Sequence, residues 1–277
     1  MRIIALLAAY NEERFIGACL DHLIRQGLEV YLIDNSSTDR TVAIAERYRG
    51  RGLLEIETFP RQGMYSWWPL LARKEELAAR LDADWFMHVD ADEIRLPPRS
   101  KATLAEAFEE VDREGYNAVN FLEFTFVPTR EAPDHDHPEF QKTMRWYYPF
   151  SPCYPHRLNA WKRQAGRVDL VSKGGHVVDF PGISMYSRWF PMRHYLFLSV
   201  PHAIRKYVER RYDPREVEKG WHGTRAALRP EQIRLTTRNR LRRYRTDDLL
   251  DSTNPRASHQ LFHLSGSAEE PPYKGSS

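Results

Sequence analysis

Asp90, Asp92 and Glu93 place three carboxylates within four positions, directly behind the apolar run "DWFMHV". Residues two apart on an extended segment point the same way, so Asp90 and Asp92 can face one ligand. Like charges held this closely need compensation, from a metal ion, a basic side chain, or only water. A hard divalent ion takes carboxylate oxygens and keeps positions open for phosphates. Two other stretches have chemical content. His176 in "KGGHVVDF" follows two glycines that let backbone approach a ligand closely. "DHDHPE" at 134–139 has a metal-site composition, but its Pro-bounded setting favours a solvated loop.

The elements that must position the carboxylates alternate along the first ninety residues. "IIALLAAY" is an apolar run of strand length, followed by the polar turn "NEE". Phe15, Ile16, Cys19, Leu20, Leu23 and Ile24 recur at helical spacing, and Gly27 supplies a stop. "EVYLID" is a second strand, "NSSTDRT" a capping loop, "TVAIAERYR" a helix, and "LLEIETF" a third strand. "LLARKEELAARL" is a further helix and "DWFMHVD" a fourth strand. This alternation predicts a parallel sheet with helices on both faces. Ligands of open α/β sheets bind at the strands' carboxyl ends, which here carry Tyr10-Asn11-Glu12, Asp34-Asn35-Ser36 and Asp90-Ala91-Asp92.

The second half reads differently. "KATLAEAFEEVDREG" predicts a helix and "YNAVNFLEFTFVP" an aromatic-rich strand. Residues 127–160 suit loops and short strands, "HVVDF" and "GISMYSRWF" read as strands, and "SVPHAIRKYVERRYD" as a helix. From Pro214 onward the chain is Arg-rich and helical in places, and "SGSAEEPPYKGSS" reads as a disordered tail. The expected division is a domain over 1–212, with halves 1–95 and 96–212, and an extension over 213–277.

Composition sets outer bounds. With 277 residues, 42% hydrophobic and 29% charged, the chain suits one large α/β domain or one domain with an extension. A net charge of +3 carries no strong polyanion signal, and no nucleic-acid partner is expected. Two cysteines, Cys19 and Cys153, make neither a disulfide framework nor a zinc spacing, which points to a reducing, cytoplasmic setting. No segment is long and apolar enough to cross a bilayer. The 12% aromatic content leaves peripheral contact with the inner face of a membrane open.

Three blocks in register resemble family-2-type glycosyltransferases of the GT-A fold. "AAYNEERFIGACLDHL" resembles that family's opening strand, turn and first helix, and "YLIDNSSTDRTVAIAERY" its nucleoside-binding strand and loop. "PLLARKEELAARLDADWFMHVDADE" resembles its Ala-Arg helix and Asp-x-Asp strand, so the match covers roughly residues 1–95. "MRHYLFLSVPHAIRKY" is similar to a late His-Tyr block of one bacterial branch. The resemblance implies a Rossmann-like, mainly parallel central sheet with helices on both faces, here followed by an Arg-rich, helical C-terminal extension. It also implies a metal-dependent, inverting hexosyltransferase that uses Mn2+ or Mg2+. The donor would be a nucleotide-diphosphate sugar, UDP-linked, and the acceptor a hydroxyl on a glycan, glycolipid or small molecule in polysaccharide or cell-envelope synthesis.

Carried over residue by residue, the resemblance implies a nucleotide-sugar pocket of Ala8, Tyr10, Glu12, Asp34, Asn35, Arg73, Asp90, Ala91 and His222. Asp34 would accept from a pyrimidine N–H, Glu12 would approach the ribose, and Arg73 the acidic cluster or the diphosphate. Asp92 would hold the metal, with Asp90 beside it and His194 completing the shell. His222 would lie near the diphosphate with Lys219 or Arg225. The family often has Asp-Asp where this chain has Asp34-Asn35, which leaves the base preference open. No acidic Glu-Asp motif is evident in the second half, so Glu123, His176 and Asp179 stand as alternative catalytic bases. Two alternatives are a nucleotidyltransferase of related fold and a non-catalytic sugar-nucleotide-binding protein. "AAYNEERF" has no Gly-rich basic loop for the first and, for a dehydrogenase, no G-x-G-x-x-G. As a binding protein, the segment "RPEQIRLTTRNRLRRYR" could support nucleic-acid or anionic-membrane contact, and by the resemblance it could dock an anionic lipid-linked or polysaccharide acceptor.

Overall fold

The computed structural model describes residues 1–245 and 249–259. The stretch "SGSAEEPPYKGSS" lies outside the described residues. The described residues form two compact units, the first of residues 1–122 and 154–192, the second of 123–153 and those from 193 onward. Residues 96–212 therefore contribute to both.

In the first unit the early alternation is realised. Strand β1 (Ile3–Ala9) is followed by α1 (Ile16–Arg25), β2 (Glu29–Asp34), α2 (Thr41–Ala45), β3 (Leu53–Thr58), α3 (Trp67–Arg80) and β4 (Trp85–Asp90). Strands β4, β1, β2 and β3 lie in that order and all run parallel. The chain thus steps outward from β1 to β3 and returns to the other side of β1 as β4. That reversal is the crevice where open α/β sheets bind ligands. All seven β1 residues are buried. Ile4, Leu6 and Ala8 pack with Leu70, Leu77 and Ala78 of α3, so alternation sends Ile3, Ala5 and Leu7 to the opposite face.

Helix α1 buries Ile16, Cys19, Leu20 and Leu23, and Gly27 ends the helical stretch at φ 84°. Burial beside carboxylates pushes the Cys19 thiol up, so it packs as a neutral group. Helix α3 starts three residues before the expected Leu70, because Trp67, Trp68 and Pro69 fit a first turn. Helix α2 is shorter than expected and passes into a 3₁₀ turn at Glu46–Tyr48. Gly50 and Gly52, both at positive φ, then swing the chain into β3.

Strand β5 (Glu93–Arg95) follows the acidic turn, and α4 (Leu104–Arg113) starts on a Thr103–Glu106 capping box. Strand β6 (Ala118–Phe126) runs from the first unit into the second. After α5 (Phe140–Thr143) come β7 (Trp146–Phe150), β8 (Leu158–Lys162) and β9 (Phe190–Tyr195). Within the first unit β8 joins the sheet antiparallel to β4 and to the start of β6. Within the second, β7 pairs with the end of β6.

Three expectations from the second half are corrected. "HVVDF" and most of "GISMYSRWF" make only isolated bridges, at Val177, Asp179 and Met185, because the turn at Pro181-Gly182, with Gly182 at φ 77°, interrupts them. The helix expected over 199–213 is α6 (Val200–Ala203) continued by one π-turn, Ile204–Val208. That wider turn accompanies a bond from the Tyr207 hydroxyl to the Leu196 carbonyl at 2.9 Å. Among the described residues the extension is helical in places, as expected. It holds α7 (Pro214–Glu218), short 3₁₀ turns and the two-residue β10 (Arg242–Arg243), broken by Gly220, Gly223 and Pro230.

Candidate active site

The carboxyl ends of β1, β2 and β4 assemble the acidic mouth. Ala8 pairs with Asp90 and Ala9 with Asp34 in the parallel registers, so both acids flank β1 at one edge of the sheet. The loops beyond are tied side chain to backbone. The Asn11 N–H donates to Ser37 Oγ at 3.0 Å, the Thr38 N–H to Asn11 Oδ1 at 2.8 Å, and the Glu12 N–H to Thr41 Oγ1 at 2.8 Å. Asp34 is buried and accepts from the Ser37 N–H at 3.1 Å. Asn35 has a structural use that an aspartate could not supply: its amide donates to the Phe59 carbonyl at 3.2 Å. Its Oδ1 accepts from Arg61 at 3.1 Å, and the Arg61 guanidinium lies 3.4 Å from the centre of the Tyr10 ring.

Basic side chains supply part of the compensation for these carboxylates. Glu93, 1% exposed, turns inward, with Arg95 Nη2 at 2.6 Å and Arg157 Nη1 at 3.5 Å. Arg95 also donates to Asn159 Oδ1 at 2.6 Å and stacks 4.4 Å from the Phe121 ring centre. Lys74 is fully buried, and its amino group donates to His88 Nδ1 at 2.7 Å and to the Val89 carbonyl at 3.3 Å. Burial pulls the Lys74 amine down to about 8, against the pull of Asp90 and Glu93. Burial also keeps His88 neutral, with Lys74 adding to the effect. Nδ1 accepts from the ammonium, so the ring proton sits on Nε2, 3.9 Å from Asp90 Oδ1. The Asp90 carboxyl is pushed up to about 6 by burial and by Glu93, with Lys74 opposing. One third of the Asp90 side chain nonetheless reaches the surface, and Asp92 beside it is 8% exposed.

Arg73 is held elsewhere. Its guanidinium binds Glu57 of β3 at 2.8 Å and, three residues along its own helix, Glu76 at 2.7 Å. The buried cation beside the acids is its neighbour, Lys74. Gly175, the second of the two glycines before His176, also has a packing use. A Cβ on Gly175 would come within 2.9 Å of Leu71 and 3.1 Å of His88, so the close approach is made to the protein's own side chains. His176 is exposed, stacks on His156 and takes an Arg157 N–H on Nδ1 at 3.0 Å. Its proton therefore sits on Nε2, which makes it a donor there. Asp179 is exposed.

In the second unit, Glu123 and His194 meet. Glu123 is fully buried, accepts from Thr125 at 2.9 Å, and lies 2.7 Å from His194 Nδ1. The carboxylate accepts the Nδ1 proton, leaving Nε2 as the acceptor of the ring. His222, with φ 67°, puts Nε2 2.7 Å from Glu216 and packs on Tyr212. In the 134–139 loop, His135 and His137 both bond Thr143, at 2.9 and 3.1 Å.

The family model described as Glycosyl transferase family 2 matches residues 5–165. The chain belongs to glycosyl transferase family 2. The match covers the strand ends that carry Asp34, Asp90 and Asp92. No curated protein matches. Among solved structures, this family 2 chain is similar to TarS of S. aureus at 14% identity and TM-score 0.42, covering 70% of this chain and 37% of that one. TarS 1-349 in complex with UDP-GlcNAc gives 14% identity and TM-score 0.40, over 70% and 58% of the two chains. The mannosyltransferase PcManGT from Pyrobaculum calidifontis, in complex with GDP-Man and Mn2+, gives 22% and 0.35 over 58% and 44%. The chain thus spans little more than a third of the length of TarS.

The donor set at the mouth can be tested against a divalent ion. Among the described residues, no group of three or more His, Cys, Asp or Glu is arranged to hold one. Glu93 is committed to arginines, and His194 belongs to the second unit while Asp90 and Asp92 belong to the first. Two adjacent carboxylates at a partly exposed mouth do suit a hard ion whose other positions go to phosphate and water. Sequence reasoning missed Lys74, Arg61, Arg95 and Arg157 in this family 2 site. The signal for Lys74 was a lysine on the apolar face of an amphipathic helix, at i+4 from Leu70 and i−3 from Leu77.

Proposed function

We propose that the chain transfers a hexose, with inversion, from a UDP-sugar to a hydroxyl acceptor in glycan, glycolipid or cell-envelope synthesis, using Mn2+ or Mg2+. The observation that carries this reading is the register that brings Asp34 and Asp90 to the two sides of β1 at the sheet's switch point. Asp34 accepts from the pyrimidine ring, while Ala8, Tyr10 and Glu12 line the nucleoside. Asp90 and Ala91 approach the ribose and Asp92 would hold the ion, while His194, oriented by Glu123, is assigned to the ion on resemblance alone. His222 is assigned to the diphosphate on resemblance alone. The ion, when bound, supplies Lewis-acid stabilisation of the leaving diphosphate. Of the three base candidates, Asp179 is the carboxylate that reaches solvent, so it takes the acceptor's proton as the acceptor oxygen attacks the anomeric carbon and the C–O bond to the diphosphate breaks. Among the described residues no helix is long and apolar enough to cross a membrane. The setting proposed from the cysteine usage is cytoplasmic.

The test is a thermal-shift screen of nucleotide sugars with and without Mn2+, followed by measurement of nucleoside diphosphate release. Stabilisation by a UDP-sugar in Mn2+ is the expected result, and Asp34→Ala should weaken UDP binding by about tenfold, the loss of one charge-assisted hydrogen bond. Unaltered calorimetric affinity in that variant counts against the pocket. His194 gives a separate arm. His194→Ala should raise the Mn2+ midpoint for activity, with partial rescue in excess Mn2+. An unchanged midpoint together with a large fall in Tm would assign His194 to packing.

A further inference from the structure

The acidic mouth carries its own countercharge. Asp90, Asp92 and Glu93 are accompanied by three cations from three different elements, Lys74 of α3, Arg95 of β5 and Arg157 just before β8. Arg95 and Arg157 both bind Glu93, at 2.6 and 3.5 Å. Lys74 has no exposed surface, its amino group bonds His88 Nδ1 and the Val89 carbonyl, and His88 Nε2 on the other side of the ring lies 3.9 Å from Asp90 Oδ1. A lysine buried to this extent is costly to keep charged unless nearby acids compensate it. Asp90 and Glu93 are those acids.

We propose that Lys74 holds the bare mouth near neutrality, so that the divalent ion is taken up together with the nucleotide's diphosphate and not ahead of it. The inference rests on the reading of the mouth as a nucleotide-diphosphate site. A dication approaching Asp90 and Asp92 alone is repelled by the ammonium across the His88 ring, through an interior with little solvent to screen it. A diphosphate brings new negative charge and oxygen ligands, which restore the attraction. Ion and nucleotide must then each tighten the other's binding by the same factor.

The experiment is calorimetry of the full chain titrated with Mn2+, alone and in saturating UDP, with GDP as a second probe. Wild type should bind Mn2+ at least about tenfold more tightly with the nucleotide present, a coupling of ordinary size. Lys74→Met removes the charge and keeps most of the stem's volume. It should tighten binding of Mn2+ alone by about tenfold and shrink the coupling, since a full charge near the ion is removed. A merely structural lysine would lower Tm without tightening any ligand. Equal Mn2+ affinity in wild type with and without nucleotide overturns the proposal. So does a folded Lys74→Met chain with wild-type affinity for Mn2+ alone. The wild-type coupling stands as a test even where the variant fails to fold. Failure of the site reading is distinguishable: neither UDP nor GDP then binds with or without Mn2+, and both inferences are overturned together.

Discussion

Asp92→Ala is expected to lower glycosyl transfer by about three orders of magnitude, the usual scale for losing a group that stabilises developing charge on a leaving group. The fold should survive. Asp92 is one of three carboxylates within four positions, so its removal relieves like-charge repulsion at the mouth. Asp92 also lies beyond the end of β4, outside the hydrogen-bonded ladder with β1. Tm should therefore change little while turnover collapses. Asp92→Asn makes a sharper comparison, because it keeps the shape and loses the charge. Turnover is measured against Mn2+ concentration, with a melting curve for each variant. Transfer within tenfold of wild type in either variant, or full turnover in excess EDTA, would falsify the role assigned to this residue.

Arg95→Ala is expected to act oppositely, on stability first. Arg95 has no exposed surface, and its fork is shared between Glu93 and Asn159, each at 2.6 Å. Removing it leaves Glu93 in the interior without its nearer arginine, with Arg157 3.5 Å away. Breaking one side of a buried pair typically costs about 3–5 kcal/mol. Loss of contact with the Phe121 ring adds to the packing defect. The double variant Glu93→Gln with Arg95→Met should recover much of the loss, because a neutral pair needs no internal countercharge. Urea denaturation of the three chains checks this. A loss under about 1 kcal/mol in the single variant, the scale of an exposed pair, would mean that the pair is solvated in the folded protein.

The order of elements from β1 to β4 was legible in the residues because both signals involved are local. Apolar runs such as "IIALLAAY" and helical spacing such as Phe15 to Ile24 need no distant partner to be recognised. Strand-end acids follow from the same pattern, since a buried strand must stop where charge begins. The two strands expected around "HVVDF" and "GISMYSRWF" failed for the complementary reason. A strand exists only where another backbone pairs with it, and Val177, Asp179 and Met185 each find a single bridge.

The sequence alone determined where the carboxylates gather, which strand ends carry them, and which family the chain resembles. It could not decide what neutralises each charge. Arg73 and Lys74 are neighbouring cations on one helix, and the face each occupies separates them. Successive residues on a helix point about 100° apart. That rotation sends one guanidinium to Glu57 and Glu76 and buries the other amine against His88. Glu93 likewise looked like a third open carboxylate. Only the paths of β5 and of the chain before β8 bring Arg95 and Arg157 to it. The pairing of Glu123 with His194, 71 residues apart, is equally a product of tertiary structure. Charge in a protein interior is compensated across space, and the linear order of residues carries no record of that distance.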